Sequence, residues 1–466
     1  MNIAALYQVY LSHPVVTTDS RRCPEGSMFF ALKGAKFNGN TFAKKALEDG
    51  CAVAVVDEPA VVPADDDRFI VVADVLKALQ DLAAFHRKQF KKPVLQITGT
   101  NGKTTTKELV AAVLGERFNV LYTQGNLNNH IGVPLTLLRI REEHDIAVIE
   151  TGANHPGEIA FLTELVQPDY GLITNVGQAH IEGFGSFEGV KRTKGELYDF
   201  LKAHEGCRIF ANGSDATLKA MLNERGIDSG AKCIVYGNEV TDASTESDFL
   251  TDPAAEPLDT VPFSPVVCGQ VTDCSPFVKM RWCKGSGDWH EVQTHLIGAY
   301  NIANLLAAAC VGTHFGVSEE QVCHALSTYE PTLGRSEYRQ TDRNALIIDA
   351  YNANLTSMHA ALTNFRQIPA ARKMLILGDM RELGTASDEA HSQILDEALT
   401  CGAESVWLVG AAFGKAAERA GARAAIRLFA DVNEVKAALS AEKPSGWLIL
   451  IKGSNSTRLA ETVGEL

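Results

Sequence analysis

No cysteine pair in this chain has C-x-x-C spacing, although ten cysteines are present, at 23, 51, 207, 233, 268, 274, 283, 310, 323 and 401. Cys268, Cys274 and Cys283 precede His290 and His295, but that spacing matches no common zinc site, so reduced thiols are expected. No apolar run approaches the roughly 18 residues of a membrane helix. The opening segment, MNIAALYQVYLSHP, lacks a basic region and a clear cleavage site. A cytoplasmic protein without a membrane span is the expectation. A surplus of basic charge is missing too: 43 Lys+Arg against 57 Asp+Glu give a net charge of -14, which argues against nucleic acid as a partner. An anionic small substrate stays open, because backbone amides, a few cations and a metal ion hold phosphates inside acidic proteins.

Internal repeats and low-complexity tracts are likewise absent. What is present is a globular composition, 45% hydrophobic and 21% charged over 466 residues, too long for one core. Three regions separate by pattern. Residues 1–88 hold short strand-like runs at 28–32, 52–56 and 69–72, with a helical stretch at 42–49 before Gly50. Residues 89–328 alternate strand and helix: a strand at 94–98, a helix from about Thr104, a strand at 146–150, a helix with Pro156 at its first position, and a strand at 171–175. Such alternation implies a mostly parallel sheet. Residues 241–265 are polar and proline-bearing and read as a surface loop; 277–282 and 291–296 read as a hairpin, and 300–311 as a buried helix. Residues 329–466 carry strands at 346–349, 374–378, 406–409, 426–429 and 447–451, a doubly wound α/β pattern whose ligands bind at strand carboxyl ends. Asp349, Asp379 and Lys452 fall at such ends.

The stretch ITGTNGKTTTK, residues 97–107, has Ile97 where a Walker A loop needs glycine. It keeps the physics of a phosphate cradle all the same. Gly99 and Gly102 let backbone approach an anion, and the following helix aims its free amides there. Lys103 reaches outer phosphates, and the Thr104 hydroxyl suits Mg²⁺. Glu150 ends a strand about 50 residues later, where a carboxylate can hold the same ion. His155 is a metal ligand or simply a helix-start histidine. His180, past the next strand, is a loop histidine or a ligand for a second divalent cation. Lys194 is a surface charge or turns toward the metals. Asn126, Asn128, Asn129, Asn301, Asn352 and Asn354 offer amides that both donate and accept, though turn chemistry explains Asn-Gly clusters equally well.

Taken together, these stretches resemble the Mur ligases, the ATP-dependent amide-forming enzymes of peptidoglycan precursor synthesis. GTNGKTTTKEL and TNVGQAHIEGFGS are similar to the family broadly. GNLNNHIGVPLTLL, GANHPGEI, DAYNANLTSM and LGDMRELG resemble the branch that adds D-alanyl-D-alanine to UDP-N-acetylmuramoyl-tripeptide. Thr151, Tyr300 and Leu355 stand where that family usually has Met, His and Pro.

The resemblance implies three α/β domains: a small one for the UDP end of the precursor, a central ATPase with a mostly parallel sheet, and a Rossmann-like C-terminal one. It places Ser20, Arg21, Lys33 and Gly34 near the uridine diphosphate, and Gly99, Thr100, Asn101, Gly102, Lys103, Thr104 and Thr105 around the ATP phosphates. Thr104 and Glu150 would bind one Mg²⁺, and His180 a second. Lys194 matches a lysine that several Mur ligases carry as a carbamate bridging to that second ion. Asn301 matches the adenine asparagine, Asp349 the ribose aspartate, and Arg335 an arginine reaching the γ-phosphate. Asn126, Asn128 and Asn129 would contact substrate; Asn352 and Asn354 would lie near the incoming dipeptide. The implied protein is a monomer whose C-terminal domain closes over ATP. Two alternatives stay open here: another ligase of this fold, such as a folylpolyglutamate-type or other Mur enzyme, and a nucleotide-dependent regulator without ligase chemistry.

Overall fold

The computed structural model describes residues 2–178, 181–227, 230, 232–238, 265–331, 334–421 and 426–466. Most of the polar stretch expected as a loop, and His180 with it, lies outside these residues.

Three principal sheets organise the described chain. In the first region Val16–Thr17, Met28–Phe30, Val53–Val56 and Phe69–Val71 pair in that order, all parallel. The helices Ile3–Ser12 and Val75–Gln89 go beyond the sequence expectation. Asp74 caps the second through the amide of Lys77, and Val75, Leu79, Leu82 and Ala83 form its buried face. This region does not stand apart from the next: Leu6, Tyr10, Leu79 and Leu82 share a core with Leu121, Val133, Leu137 and Leu138.

The central sheet runs His290–Ile297, Phe277–Lys284, Val267–Cys274, Cys233–Asn238, Arg208–Asn212, Tyr170–Ile173, Val94–Thr98, Ile146–Glu150, Val120–Tyr122. It is parallel from Val120–Tyr122 through Val267–Cys274, then antiparallel. The expected hairpin is thus the outer part of a three-stranded antiparallel extension. At the sheet's centre Val94–Thr98, Ile146–Glu150 and Tyr170–Ile173 are buried almost throughout, which is why they read as largely apolar runs. Val120–Tyr122, Arg208–Asn212, Cys233–Asn238 and Val267–Cys274 were not expected from the sequence. The helix Ile302–His314 is buried continuously from Asn304 to Thr313 and packs on the loop helix Lys103–Gly115, where Gly312 leaves room for Val113.

The third sheet has Glu337–Gln340 antiparallel to Ala345–Asp349, followed by Leu448–Lys452, Lys373–Gly378, Ser405–Val409 and Ile426–Phe429, all parallel. Apolar clusters cover both faces, one built on Phe365 and Ile394, the other on Trp407 and Leu439.

One helix start differs from expectation. The helix after Ile146–Glu150 begins at Glu158 behind Gly157, whose φ is 82°, so Pro156 precedes the cap. Glu196 accepts from the amides of the cap Gly157 and of Ala160 at the helix start, while Glu158, the first helical residue, accepts from the preceding Asn154 and His155 amides. His155 is exposed beside Glu158. Cys268 and Cys283 face each other across two strands with sulfurs 3.2 Å apart. Among the described residues no group of three His, Cys, Asp or Glu is placed to hold a metal ion, and no helix is long and apolar enough to cross a membrane.

Candidate active site

The loop after Val94–Thr98 lies between two neighbouring strand ends, Glu150 on one side and Thr174–Asn175 on the other. Gly99, at φ +143°, passes so close to Thr174 that a Cβ would sit 2.0 Å from its hydroxyl. Backbone bonds then pin the loop: the Thr100 amide donates to Asn175 O (2.9 Å) and the Asn101 amide to Asn175 Oδ1 (3.0 Å). Gly102 takes φ +76° and starts the helix without a side-chain cap. The first helical amides therefore remain available to an anion.

Lys103 folds back onto Gly99 O and Thr100 O at 2.8 Å each. Burial, then the positive charge of Arg335, lower its pKa to about 8 against the pull of Glu150. The Thr104 hydroxyl donates to Glu150 Oε2 at 2.9 Å, and Asn128 Nδ2 donates to Glu150 Oε1 at 2.8 Å. Both Thr104 and Glu150 are 1% exposed. A hydroxyl and a carboxylate side by side are hard oxygen donors of the kind Mg²⁺ takes. The fully buried Lys107 lies 3.9 Å from Glu150 Oε2 and 3.4 Å from Glu108, offsetting the buried negative charge.

A cavity of about 1360 Å³ opens in front of the loop, with walls from two regions. Gly99 through Thr105, Asn126, Asn128, Asn129, Glu150, Lys194 and Asn301 line one wall; Arg335, Asp349, Asn352 and Lys452 line the other. Arg335 stacks on Tyr351 with its guanidinium carbon 3.5 Å from the ring centre, and its Nε has no hydrogen-bond partner among the described residues. An unpaired cation facing a phosphate loop fits a polyphosphate. Asp349 accepts from Lys452 Nζ at 2.5 Å. Lys194, 2% exposed, lies over the Phe184 ring at 5.5 Å, and burial, followed by Lys103, lowers its pKa to about 7.

Other expected residues have different surroundings. Ser20, Arg21, Lys33 and Gly34 are not among the cavity's lining; Arg21 pairs with Asp19, and Lys33 with Asp57 and Glu58. Asn354 is buried outside the cavity lining, its side chain engaged at both ends. Asp379 receives the amides of Ala412 and Phe413 at the start of a helix. The departures from the familiar pattern are accommodated: Thr151 accepts from Gln96, Tyr300 bonds Ser336 across the two regions, and Leu355 is the first helical residue after its cap, a position that proline also suits. Asn304 escaped the sequence reading. It joins Asn301 to Thr106, and its amide abuts Gly102; its spacing of three from Asn301 was the available signal.

Three family models match the chain in order: "Mur ligase family, catalytic domain" over residues 14–87, "Mur ligase middle domain" over 97–312, and "Mur ligase, glutamate ligase domain" over 334–455. The UDP-N-acetylmuramoyl-tripeptide–D-alanyl-D-alanine ligase of Escherichia coli (strain K12) is 34% identical over 97% of this chain and 93% of its own length. This chain belongs to the Mur ligase family. The correspondingly named Mur ligase of Bacillus subtilis (strain 168) is 32% identical over 100% of this chain and 97% of its own length. Among solved structures, MurF from Acinetobacter baumannii superposes with a TM-score of 0.81 at 28% identity, covering 100% of this chain and 98% of that one.

Proposed function

We propose that this chain is an ATP-dependent ligase joining D-alanyl-D-alanine to UDP-N-acetylmuramoyl-tripeptide through an acyl phosphate, giving the UDP-N-acetylmuramoyl-pentapeptide of peptidoglycan synthesis. Relatives spanning the whole chain carry that activity in their names. The observation that carries the reading is the pairing of Thr104 with Glu150 at the foot of an uncapped loop helix, opposite Arg335 and Asp349 from the third region. A plain nucleotide switch has no need of that second wall.

The chemistry follows from the groups present. A carboxylate resists an amine because oxide is a poor leaving group; phosphorylating it makes phosphate the leaving group. Loop amides and Lys103 orient the ATP phosphates, and Arg335 offsets charge that spreads over the transferring oxygens. Mg²⁺ held by Thr104 and Glu150 would neutralise the phosphate oxygens. The Thr104 hydroxyl would serve there as a ligand and would form no bond to substrate. Asn301 would meet adenine and Asp349 the ribose. Asn126, Asn128 and Asn129 would face the precursor and Asn352 the dipeptide, while Ser20, Arg21, Lys33 and Gly34 would hold the uridine diphosphate.

Lys194 we assign as the carbamate site, with His180 beside a second ion. Its place in the cavity wall and a pKa of about 7 support this, because only a neutral amine adds CO₂. We further divide the chain into units at 1–88, 89–328 and 329–466 and place a monomer in the cytoplasm. An amine panel tests the reaction. With ATP, Mg²⁺ and UDP-N-acetylmuramoyl-tripeptide, D-alanyl-D-alanine should give a product heavier by one dipeptide less water. Products with L-alanine or D-glutamate alone would move the chain to another branch.

A further inference from the structure

We infer that Asn354 and Asn101 form a latch fastening the third region to the phosphate loop, so that this region docks productively only on a correctly shaped loop. The inference rests on the ligase reading above and names positioning residues for it. Asn354 Nδ2 donates to Asn101 Oδ1 at 2.8 Å, a direct bond between residues 253 positions apart. The other end of the same amide is committed. Asn354 Oδ1 accepts from the Ser357 amide at 2.9 Å, and the Asn354 amide donates to Ser357 Oγ at 3.1 Å, a complete capping box for the helix Leu355–Gln367.

That double duty separates the latch from a merely structural cap. Asp and Ser cap helices as well as Asn does, but neither carries the side-chain N–H that crosses to Asn101. The loop side is equally specified. Asn101 O accepts from Thr174 Oγ1 at 2.6 Å and from Asn175 Nδ2 at 3.0 Å, and the Asn101 amide donates to Asn175 Oδ1 at 3.0 Å. Three bonds thus fix the backbone that aims the Asn101 side chain, immediately before Gly102 turns into the helix. A loop of another shape would carry Asn101 Oδ1 away from Asn354. The helix seated by this bond also places Thr356 against Gly177, and it follows the strand that ends at Asp349.

A mutant cycle tests the latch in the full-length protein. Asn354→Ser keeps a capping oxygen but is too short to reach the loop; Asn101→Ala removes the same bond from the other side and leaves the helix cap untouched. The expected result for Asn354→Ser is kcat lower by roughly three- to tenfold, the size of one neutral hydrogen bond. ADP·Mg²⁺ affinity by calorimetry should fall by no more than that same factor, because docking of the region that carries Asp349 is linked to nucleotide binding. The double variant should be no slower than the slower single variant. Small-angle scattering with ADP·Mg²⁺ reads closure without turnover, so it stays informative even if the ligation assay fails: the Asn354→Ser protein should stay more extended than wild type. Unchanged kcat with unchanged compaction, or single effects that multiply in the double variant, would overturn the latch.

Discussion

Replacing Gly99 with alanine tests whether the loop's shape, and not only its charges, makes the nucleotide site. Gly99 holds φ +143°, a conformation that side-chain-bearing residues rarely adopt, and a Cβ there would lie 2.0 Å from Thr174 Oγ1, 3.0 Å from Thr174 N and 3.1 Å from Asn175 O. The hydroxyl cannot yield freely, because it donates to Asn101 O at 2.6 Å. Backbone strain of about 1–3 kcal/mol and one lost hydrogen bond of about 1 kcal/mol together oppose the native loop by roughly 2–4 kcal/mol. Calorimetry with ADP·Mg²⁺ should then show affinity weakened by about thirtyfold or more. Thr174→Ala alone loses one bond and should cost about tenfold at most. In the double variant the hydroxyl no longer obstructs the new methyl, so the combined loss should fall short of the product of the single losses by about threefold or more. Gly99→Ala affinity within threefold of wild type, or strictly multiplicative losses, would refute this account of the loop.

Three further outcomes follow from the same geometry. Thr104→Val removes the hydroxyl beside Glu150 without changing volume; the Mg²⁺-dependent part of ADP affinity should fall about tenfold while affinity in EDTA changes less than twofold, read by calorimetry. In CO₂-free solution without Mg²⁺, where Lys194 stays a free amine, Lys194→Met should stabilise the fold at pH 7. The wild-type lysine, its pKa lowered to about 7 by burial and Lys103, binds fewer protons folded than unfolded between pH 7 and lysine's ordinary value, so wild-type stability rises with pH across that window. The variant's advantage, at most about 5 kcal/mol at about 1.4 kcal/mol per pH unit, should therefore shrink toward pH 10 in urea titrations. Tyr10→Phe strips the hydroxyl that donates to Leu138 O and accepts from Arg141 between the first and second regions; Arg141 Nη1 still bonds Leu138 O and Ile140 O, so the loss should stay near about 1 kcal/mol, seen as a slightly lower urea midpoint.

Val94–Thr98, Ile146–Glu150 and Leu448–Lys452 were readable because burial on both faces makes each a largely apolar run. Ile426–Phe429 was located to the residue although Arg427 and Leu428 are exposed, whereas Val120–Tyr122, Arg208–Asn212, Cys233–Asn238 and Val267–Cys274 were not expected. The phosphate loop was readable because glycine at 99 and 102 has few other uses before a helix. Contacts made at long range had no such local signature. Asn304 meets Thr106 across 198 positions, and Asn354, grouped by motif with the dipeptide contacts, turns its amide to Asn101 instead. Tyr351 beneath Arg335 and Lys107 beside Glu150 also depend on tertiary packing. The helix start after Pro156 moved to Glu158 because Glu196, 38 residues later in sequence, anchors the first amides.

Phosphoryl transfer to the precursor's carboxylate is the step on which the ligase chemistry depends. UDP-N-acetylmuramoyl-tripeptide labelled with ¹⁸O in the carboxyl group that accepts the amine, incubated with ATP, Mg²⁺ and D-alanyl-D-alanine, puts the question directly. An acyl phosphate requires one ¹⁸O to leave with each inorganic phosphate, visible by ³¹P NMR, while the other remains in the new amide of the pentapeptide product. Unlabelled phosphate formed alongside product would contradict the acyl-phosphate route, and phosphate release indifferent to both substrates would contradict the ligase itself.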